Sequence, residues 1–393
     1  MVFKVFLSST SEIKRDVVKQ FCSRLVSNKE IDITSVSTDD ASLPLEGSVN
    51  DIVATVSAKA EGEIILNALP EQPINSGEQC VMARNTFMKK YIKENLPEIE
   101  YDLLISIENS IEGKISDEIN VSDVPYILIE DKYGEKYNTV GTFIPVPKEY
   151  FIKAKLRSEK TKSCVNGFSV TIGEIIAENN PRVRKDNWMV KKEFGGIDRT
   201  VQIYNGFKTI LEKVKRRIAL KNAVIRVQDF PKPNVLFQDL SNILNDRVLL
   251  HFLKQEMLQI LSKNYLKVPR DKLKFVGLDA RGFIYGSILA SETNGSFVMA
   301  RKAGKLPGET LSVQYGTEYS VSEIEIMPHL INEDDKVIIV DDLVATGGSL
   351  YAAKELIEKC GGKVMCCITI LHVPNLIEEA KKKLYPVPIH IVL

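Results

Sequence analysis

The chain has few of the side chains on which zinc sites and serine hydrolase triads depend. Only four histidines occur among the 393 residues, and they are scattered without the spacing of metal ligands. The six cysteines include no Cys-x-x-Cys pair, a pattern typical of buried thiols in a reducing compartment. The sequence therefore argues against a zinc enzyme and against a Ser-His-Asp hydrolase, and it leaves carboxylates, cations and a hard metal ion to carry the chemistry.

The chain also lacks an excess of charge of either sign, because 52 basic residues balance 52 acidic ones. A net charge of zero gives no general attraction to nucleic acid or to an acidic membrane surface. No apolar run is long enough to span a bilayer, and the N-terminus turns polar after seven residues, which is too short for a signal-peptide core. We therefore expect a cytoplasmic enzyme whose partners include neither nucleic acid nor membrane.

Alternating strand and helix patterns are what the sequence does have, from end to end. With 44% hydrophobic and 26% charged residues the composition is that of a globular protein, and the length predicts about two or three domains. The alternation predicts an α/β protein. Because a charged helix pattern gives way to the proline-containing segment VQDFPKPNVLFQDL, we expect two domains, 1–217 and 218–393.

One segment, VIIVDDLVATGGSL at residues 337–350, places charge where a buried strand should avoid it. Four branched aliphatic residues run into Asp341 and Asp342, and a turn of small residues follows. In open α/β sheets ligands bind at the carboxyl ends of strands, where helix N-termini offer free N–H groups to anions. We interpret the aspartates as acceptors for sugar hydroxyls and the turn as a phosphate cradle; the alternative is a capped turn with surface aspartates. The cradle residues are Ala345, Thr346, Gly347, Gly348 and Ser349.

This motif resembles that of the type I phosphoribosyltransferases, whose donor is phosphoribosyl pyrophosphate. The segments VQDFPKPNVLFQDL, GLDARGFIYG, ARKAGKLPGET and YGTEYS resemble in order and spacing those of the adenine phosphoribosyltransferases, over about residues 224–392. The resemblance implies a parallel sheet flanked by helices, with a hood and a lid loop. It also implies purine salvage, in which adenine and phosphoribosyl pyrophosphate give AMP and pyrophosphate with Mg²⁺ as cofactor.

The resemblance assigns roles to further residues of this half. Departing pyrophosphate has to be stabilised by cations, and the candidates are Arg281, Arg301, Lys302 and Lys305. Glu318 matches the glutamate beside N7 of adenine and is expected to share a proton with the attacking purine, while Tyr315 and Tyr319 would close the lid; the alternative for this segment is an ordinary exposed hairpin. Gln238 stands where the family has arginine, which would weaken substrate binding. The adenine ring is expected against Val227, Gln228 and Phe230.

Five segments of the first half, VFLSSTSEIKRDVVKQF, PEQPINSGEQCVMARN, YDLLISIENSIEG, GTFIPVP and GGIDRT, together resemble the inosine/xanthosine triphosphatases. The resemblance covers about residues 1–215 and implies a triphosphatase-like α/β domain in which metal-activated water attacks ITP or XTP. It places the nucleotide site at Thr10, Lys14, Glu108 and Arg199. The metal carboxylates would come from Asp39 or Asp40 and from the group Glu100, Asp102 and Glu108, with Asp39 and Glu100 as our choice.

This half departs from the family at several points. Ser11 replaces an asparagine, Asn109 and Ser110 replace two small residues, and residues 45–69 have the character of an insertion. Two hypotheses therefore stand for the first half: a second, hydrolase activity, or a non-catalytic module for dimerisation or nucleotide sensing. A purine-responsive regulator would require a helix-turn-helix and a basic face, and neither is evident. By analogy with both families we expect a homodimer.

Overall fold

The structure is a computed structural model, and it describes residues 2–26, 29–36, 76–115, 119–160, 171–265, 267–316 and 321–393. The chain divides into two compact units, Met1–Lys215 and Arg216–Leu393. This division and the boundary predicted from the sequence both fall inside one helix, Arg199–Ala223. Within the described ranges, no helix is both long and apolar enough to cross a membrane.

The first unit contains a mixed sheet of six strands in its described part, in the order β2-β1-β3-β4-β5, with β6 beside β4. β1 runs parallel to β2 and β3, and the other neighbours are antiparallel. The strands are β1 (Val2–Leu7), β2 (Glu30–Ser35), β3 (Leu103–Ile115), β4 (Ile119–Asp131), β5 (Lys136–Val140) and β6 (Ile144–Pro145). The helices are α1 (Glu12–Leu25), α2 (Ser76–Asn95), α3 (Lys148–Lys160), α4 (Ile172–Asn179) and α5 (Arg199–Ala223).

The start of β3 explains why this sheet is covered on both faces. Leu103, Leu104 and Ile105 are consecutive and each is fully buried. Because neighbouring residues of a strand point to opposite faces, a run of buried residues requires packing on both sides. Leu104 packs in a cluster with Met88 of α2, so α2 covers one of these faces.

The second unit contains a seven-stranded sheet in the order β11-β12-β10-β9-β13-β14-β15 and a separate hairpin of β7 and β8. The five strands β9, β10, β13, β14 and β15 are parallel to their neighbours in that run, and β11 and β12 add an antiparallel edge. The strands are β7 (Ile225–Gln228), β8 (Leu236–Asp239), β9 (Leu273–Leu278), β10 (Ser296–Lys302), β11 (Leu311–Gly316), β12 (Val321–Ile326), β13 (Lys336–Val344), β14 (Lys363–His372) and β15 (Ile389–Ile391). The helices are α6 (Ser241–Asn245), α7 (Arg247–Asn264), α8 (Gly282–Thr293), α9 (Gly348–Lys359) and α10 (Ile377–Leu384). The predicted α/β class is confirmed for the described residues.

The aliphatic run of β13 is buried because two hydrophobic cores meet at this strand. Val337 and Ile339 pack in a core with α9, whereas Ile338 and Val340 pack in a second core with α8. Full burial of one such side chain contributes about 1.5–3 kcal/mol. The alternation holds β13 in the middle of the sheet, so that its carboxyl end lies beside those of its parallel neighbours, where the candidate site is found.

Candidate functional site

The two adjacent aspartates of β13 have different partners. Asp342 is only 6% exposed, and its Oδ2 lies 2.8 Å from Nε of Arg281, the residue before α8. The guanidinium supplies the paired charge that a buried carboxylate requires. Asp341 Oδ1 accepts a hydrogen bond of 2.9 Å from the N–H of Asp342. Burial and the neighbouring Asp342 charge raise the pKa of Asp341 well above its ordinary value.

Both aspartates are predicted to accept sugar hydroxyls, but their surroundings in the ligand-free chain differ. The carboxylate of Asp342 is engaged by Arg281, and Asp341 is the one whose ionised form is poorly stabilised in the ligand-free chain. Arg281, predicted to bind pyrophosphate, is 42% exposed in its side chain and lies over the Phe237 ring at 5.6 Å. Since a guanidinium has five N–H donors, its remaining donors are available to a ligand.

The predicted phosphate cradle forms the junction between β13 and α9. β13 continues past the aspartates to Val344, and α9 begins at Gly348. Gly347 precedes the helix with φ of +77°, a left-handed conformation that side chains other than glycine's adopt at a cost. A Cβ atom there would lie 3.0 Å from the Cα of Ala380 in α10. The first N–H groups of α9, which have no acceptor inside the helix, therefore follow a turn whose backbone conformation favours glycine.

The predicted cations Arg301, Lys302 and Lys305 surround the end of β10. The Arg301 Nε donates to Asp279 Oδ2 at 3.2 Å, and its Nη1 donates to the carbonyl oxygen of Lys305 at 3.2 Å. Lys302 and Lys305 are exposed. Arg301 is thus held by the protein and orders the segment that follows, while the two lysines present their charges to solvent.

The predicted adenine-binding residues lie on or next to the β7–β8 hairpin and are exposed. Val227 is 40% and Phe230 50% exposed, and Gln228 is exposed as well. Phe230 packs edge-on against Phe237 with ring centroids 5.1 Å apart. Gln238 of β8 donates from Nε2 to the carbonyl oxygen of His372 at 3.3 Å, which ties this hairpin to the carboxyl end of β14. Exposed apolar and aromatic groups of this kind suit stacking against a planar base.

The remaining prediction for this half concerns the β11–β12 hairpin. Glu318 and Tyr319 lie outside the described residues. Gly316 and Val321 are directly opposite each other in the antiparallel pairing of β11 and β12. Tyr315 packs against the hydrophobic core of the second unit, and burial raises the pKa of its hydroxyl. Tyr315 therefore packs against the core at the base of the β11–β12 hairpin.

In the first unit the structure brings Lys14 and Glu108 together and adds Arg84. The Lys14 Nζ donates to the carbonyl oxygen of Ile107 at 2.8 Å and lies 3.9 Å from Glu108 Oε2. The Arg84 Nε lies 2.7 Å from the same Glu108 oxygen. Arg84 was missed, although it stands in the segment that carries the family resemblance. We call Lys14, Arg84 and Glu108 the first-unit charge cluster.

Arg199, predicted to contact phosphate, is engaged elsewhere. Its guanidinium binds Asp123 through two hydrogen bonds, of 2.7 and 3.0 Å, and also donates to Gln202 Oε1 at 2.8 Å. Asp123, 5% exposed, accepts a further hydrogen bond from Asn109 at 2.8 Å. In this structure Arg199 therefore neutralises a buried carboxylate. Thr10 is exposed in the turn before α1.

The predicted metal carboxylates of the first unit are not gathered in its described part. Asp39 and Asp40 lie outside the described residues, Glu100 is exposed, and Asp102 lies 3.6 Å from Lys132 Nζ. Across the described ranges, no group of three or more His, Cys, Asp or Glu side chains is placed to hold a metal ion. In the second unit Asp341 fits a Mg²⁺ ion that takes most of its ligands from water and substrate, because its ionised form gains from a nearby cation.

Comparison with known proteins identifies the family. Residues 251–391, in the second unit, match the phosphoribosyl transferase domain. Adenine phosphoribosyltransferase of Shewanella woodyi is 40% identical over 157 residues, which are 40% of this chain and 83% of the relative. The rat enzyme is 38% identical over 161 residues, 41% of this chain and 86% of the relative.

A solved adenine phosphoribosyltransferase from Saccharomyces cerevisiae shares 34% identity and covers 46% of this chain and 99% of its own, with a TM-score of 0.43. The sequence relatives are matched over most of their length at identities well above 30%. The chain therefore belongs to the adenine phosphoribosyltransferase family.

Proposed function

We propose that the second unit transfers the ribose 5-phosphate group of phosphoribosyl pyrophosphate to adenine, giving AMP and pyrophosphate in purine salvage. The observation that carries this proposal is the junction of β13 and α9, where Asp341 lies beside a glycine turn and a helix N-terminus. A carboxylate that gains from hydroxyl donors next to an anion-binding turn is suited to a ribose phosphate. Membership of the family supports adenine as the acceptor.

The reaction requires stabilisation of the charges that develop on the sugar and the pyrophosphate, and alignment of the two substrates. Breaking the bond from C1 to pyrophosphate leaves positive charge on the sugar and negative charge on the leaving group, so cations at the leaving group lower the barrier. Lys302, Lys305 and the free donors of Arg281 would bind pyrophosphate, and Asp341 would hold the ribose hydroxyls. A bound Mg²⁺ would neutralise part of the pyrophosphate charge. As N9 of adenine bonds to C1, the base loses one proton, and Glu318 is the proposed group that shares this proton at N7.

An assay of the full chain tests this function. With Mg²⁺ and phosphoribosyl pyrophosphate, we expect AMP and pyrophosphate to form in equal amounts from adenine, and product formation at least about tenfold slower from hypoxanthine or guanine, since base edges that mismatch a polar site are rejected. Chromatography of the nucleotides measures both. A chain that forms no AMP, or that prefers hypoxanthine, would contradict the proposal.

For the first unit we propose a second activity, hydrolysis of ITP or XTP, because of a buried amide on α2, the helix that carries Arg84. Asn85 is fully buried, and neither its amide nitrogen nor its amide oxygen has a hydrogen-bond partner among the described residues. A buried amide without partners costs stability, and it lies one residue after Arg84 on α2. A polar ligand that reaches this amide would satisfy its hydrogen bonds, which supports a ligand site in this part of the first unit.

Replacing Glu108 with glutamine tests this second activity. We expect the full chain to release phosphate or pyrophosphate from ITP or XTP but not from ATP, and the Glu108→Gln variant to do so about tenfold more slowly, as expected when one charged contact is lost. Glu94→Gln, an exposed position on α2, is the matched control. No release from any nucleotide, with AMP formation intact, would instead support the non-catalytic module for dimerisation or nucleotide sensing.

A further inference from the structure

Glu325 of β12 is a buried carboxylate that binds a single loop. It is 4% exposed, and its Oε1 accepts hydrogen bonds of 2.8 Å from the backbone N–H groups of both Lys305 and Leu306. Although burial acts to raise the pKa of Glu325, hydrogen bonds from Leu306, Gly304, Lys305 and the Thr310 hydroxyl lower it below its ordinary value. The carboxylate is therefore ionised at neutral pH and holds residues 304–310 together.

This loop joins β10 to β11 and contains the exposed Lys305. Two of its glycines, Gly304 and Gly308, have φ of +77° and +80°, and a Cβ on either would meet no atom within 4 Å. The loop thus has little packing of its own at these positions. The interactions that hold its backbone come from neighbouring strands, which is the arrangement expected where a loop must be presented in one conformation.

The backbone N–H group and the backbone carbonyl group of Lys305 are both bound by side chains. Glu325 accepts from its N–H, and Arg301 donates to its carbonyl oxygen at 3.2 Å. Arg301 and Glu325 are directly opposite each other in the register of β10 and β12. Side chains of a directly opposed pair lie on the same face of an antiparallel sheet. Arg301 and Glu325 therefore bind the backbone of Lys305 from the same face.

We propose that Glu325 is a positioning residue for the pyrophosphate-binding loop: its carboxylate fixes the backbone of Lys305 so that the lysine charges meet the departing pyrophosphate. The proposal rests on the proposed transferase function. A purely structural role would affect stability and both substrates alike. A positioning role acts on one substrate, because adenine is expected at a different set of residues, on the β7–β8 hairpin.

The test compares Glu325→Gln with wild type in the AMP assay. Glutamine keeps the size and one acceptor oxygen but removes the charge that the three N–H donors stabilise. We expect the KM for phosphoribosyl pyrophosphate to rise about tenfold, with the KM for adenine changed less than about twofold, because charge-assisted hydrogen bonds fix the loop geometry. Glu323→Gln is the matched control: it lies on the same face of β12, accepts from Ser312 Oγ at 2.6 Å, and should change neither constant.

Equal changes in both KM values, or none, would overturn the proposal. If Glu325→Gln does not fold, the Thr310→Val variant tests the proposal in its place. It removes one hydroxyl donor to the Glu325 carboxylate and leaves the carboxylate itself. We expect the KM for phosphoribosyl pyrophosphate to rise about threefold and the KM for adenine to stay unchanged. If wild type forms no AMP, the transferase function fails. Calorimetric binding of magnesium pyrophosphate to wild type and to the variant then tests the positioning role, with equal affinities overturning it.

Discussion

Replacing Asp341 with asparagine is expected to make the chain more stable at neutral pH and to lower kcat/KM for AMP formation. The loss of activity follows because asparagine fills the same space but offers ribose hydroxyls no charge. Hydrogen bonds to a charged group contribute about 1.5–3 kcal/mol, which corresponds to a loss of roughly 10- to 100-fold. Under the proposed function, the charge of Asp341 would favour ribose binding, whereas it is unfavourable in the ligand-free fold.

The gain in stability follows from the pKa of Asp341. Burial and the charge of Asp342 raise this pKa above its ordinary value of 3.8. At a pH between 3.8 and the raised value, the folded chain therefore keeps a proton on Asp341 that the unfolded chain has already lost. The stability that Asp341 contributes in its protonated form is full below pH 3.8 and is lost as the pH rises through the raised folded value. We expect the asparagine variant to be about 1 kcal/mol more stable at pH 7 and no more stable at pH 3.

Denaturant unfolding of the full chain across this pH range measures the effect, alongside steady-state AMP formation. Asp271→Asn, an exposed carboxylate of the same unit, should change neither stability nor activity. An asparagine variant that is less stable than wild type at pH 7, or one that keeps full activity, would show that Asp341 is not the carboxylate that meets the ribose.

Replacing Gly347 with alanine is expected to destabilise the second unit and to impair use of phosphoribosyl pyrophosphate strongly. A side chain at φ of +77° costs about 1–2 kcal/mol, and the new Cβ would meet the Cα and Cβ atoms of Ala380 at 3.0 Å. Crowding of this kind adds about 1–3 kcal/mol, because α10 has to shift. Since a displacement of about 1 Å in a binding element can cost about 100-fold in rate, a loss of that order in kcat/KM is expected.

The control for this substitution separates backbone strain from crowding. Gly134, in the turn between β4 and β5 of the first unit, has φ of +82°, and a Cβ there would meet no atom within 4 Å. Gly134→Ala should therefore cost about 1 kcal/mol and leave AMP formation unchanged. Thermal unfolding and initial rates compare the two variants. If both are destabilised equally, or if Gly347→Ala retains its KM, the cradle does not depend on the close approach of α9 and α10.

Much of the fold was predictable because it depends on local patterns. The aliphatic run before Asp341 predicted a buried strand, and Val337 to Val340 are each fully buried, since both faces of β13 are covered. The helix pattern after the first strand predicted a helix, observed as Glu12–Leu25. The motifs of the second half identified the family before any coordinates, because each motif consists of consecutive residues.

The pairings of the candidate sites were not predictable in the same way. Arg281 is 61 residues from Asp342, and their ion pair exists because β9 and β13 are neighbours in the sheet. Arg84 reaches Glu108 because α2 packs on β3. Arg199, predicted to meet phosphate, forms an ion pair with Asp123 in the ligand-free chain. In each case the side chain type was apparent from the sequence, while its partner depended on which elements lie side by side.

The sequence by itself thus determined the α/β class and the order of strands and helices in the second half, since each depends on consecutive residues. Only the tertiary structure decided that Asp341 and Asp342 have different partners, that Arg84 joins Lys14 and Glu108, and that Glu325 holds the loop of Lys305. The physical reason is that hydrogen bonds and ion pairs act over a few ångströms. Residues far apart in the chain meet at that range only once packing has set strand order and register.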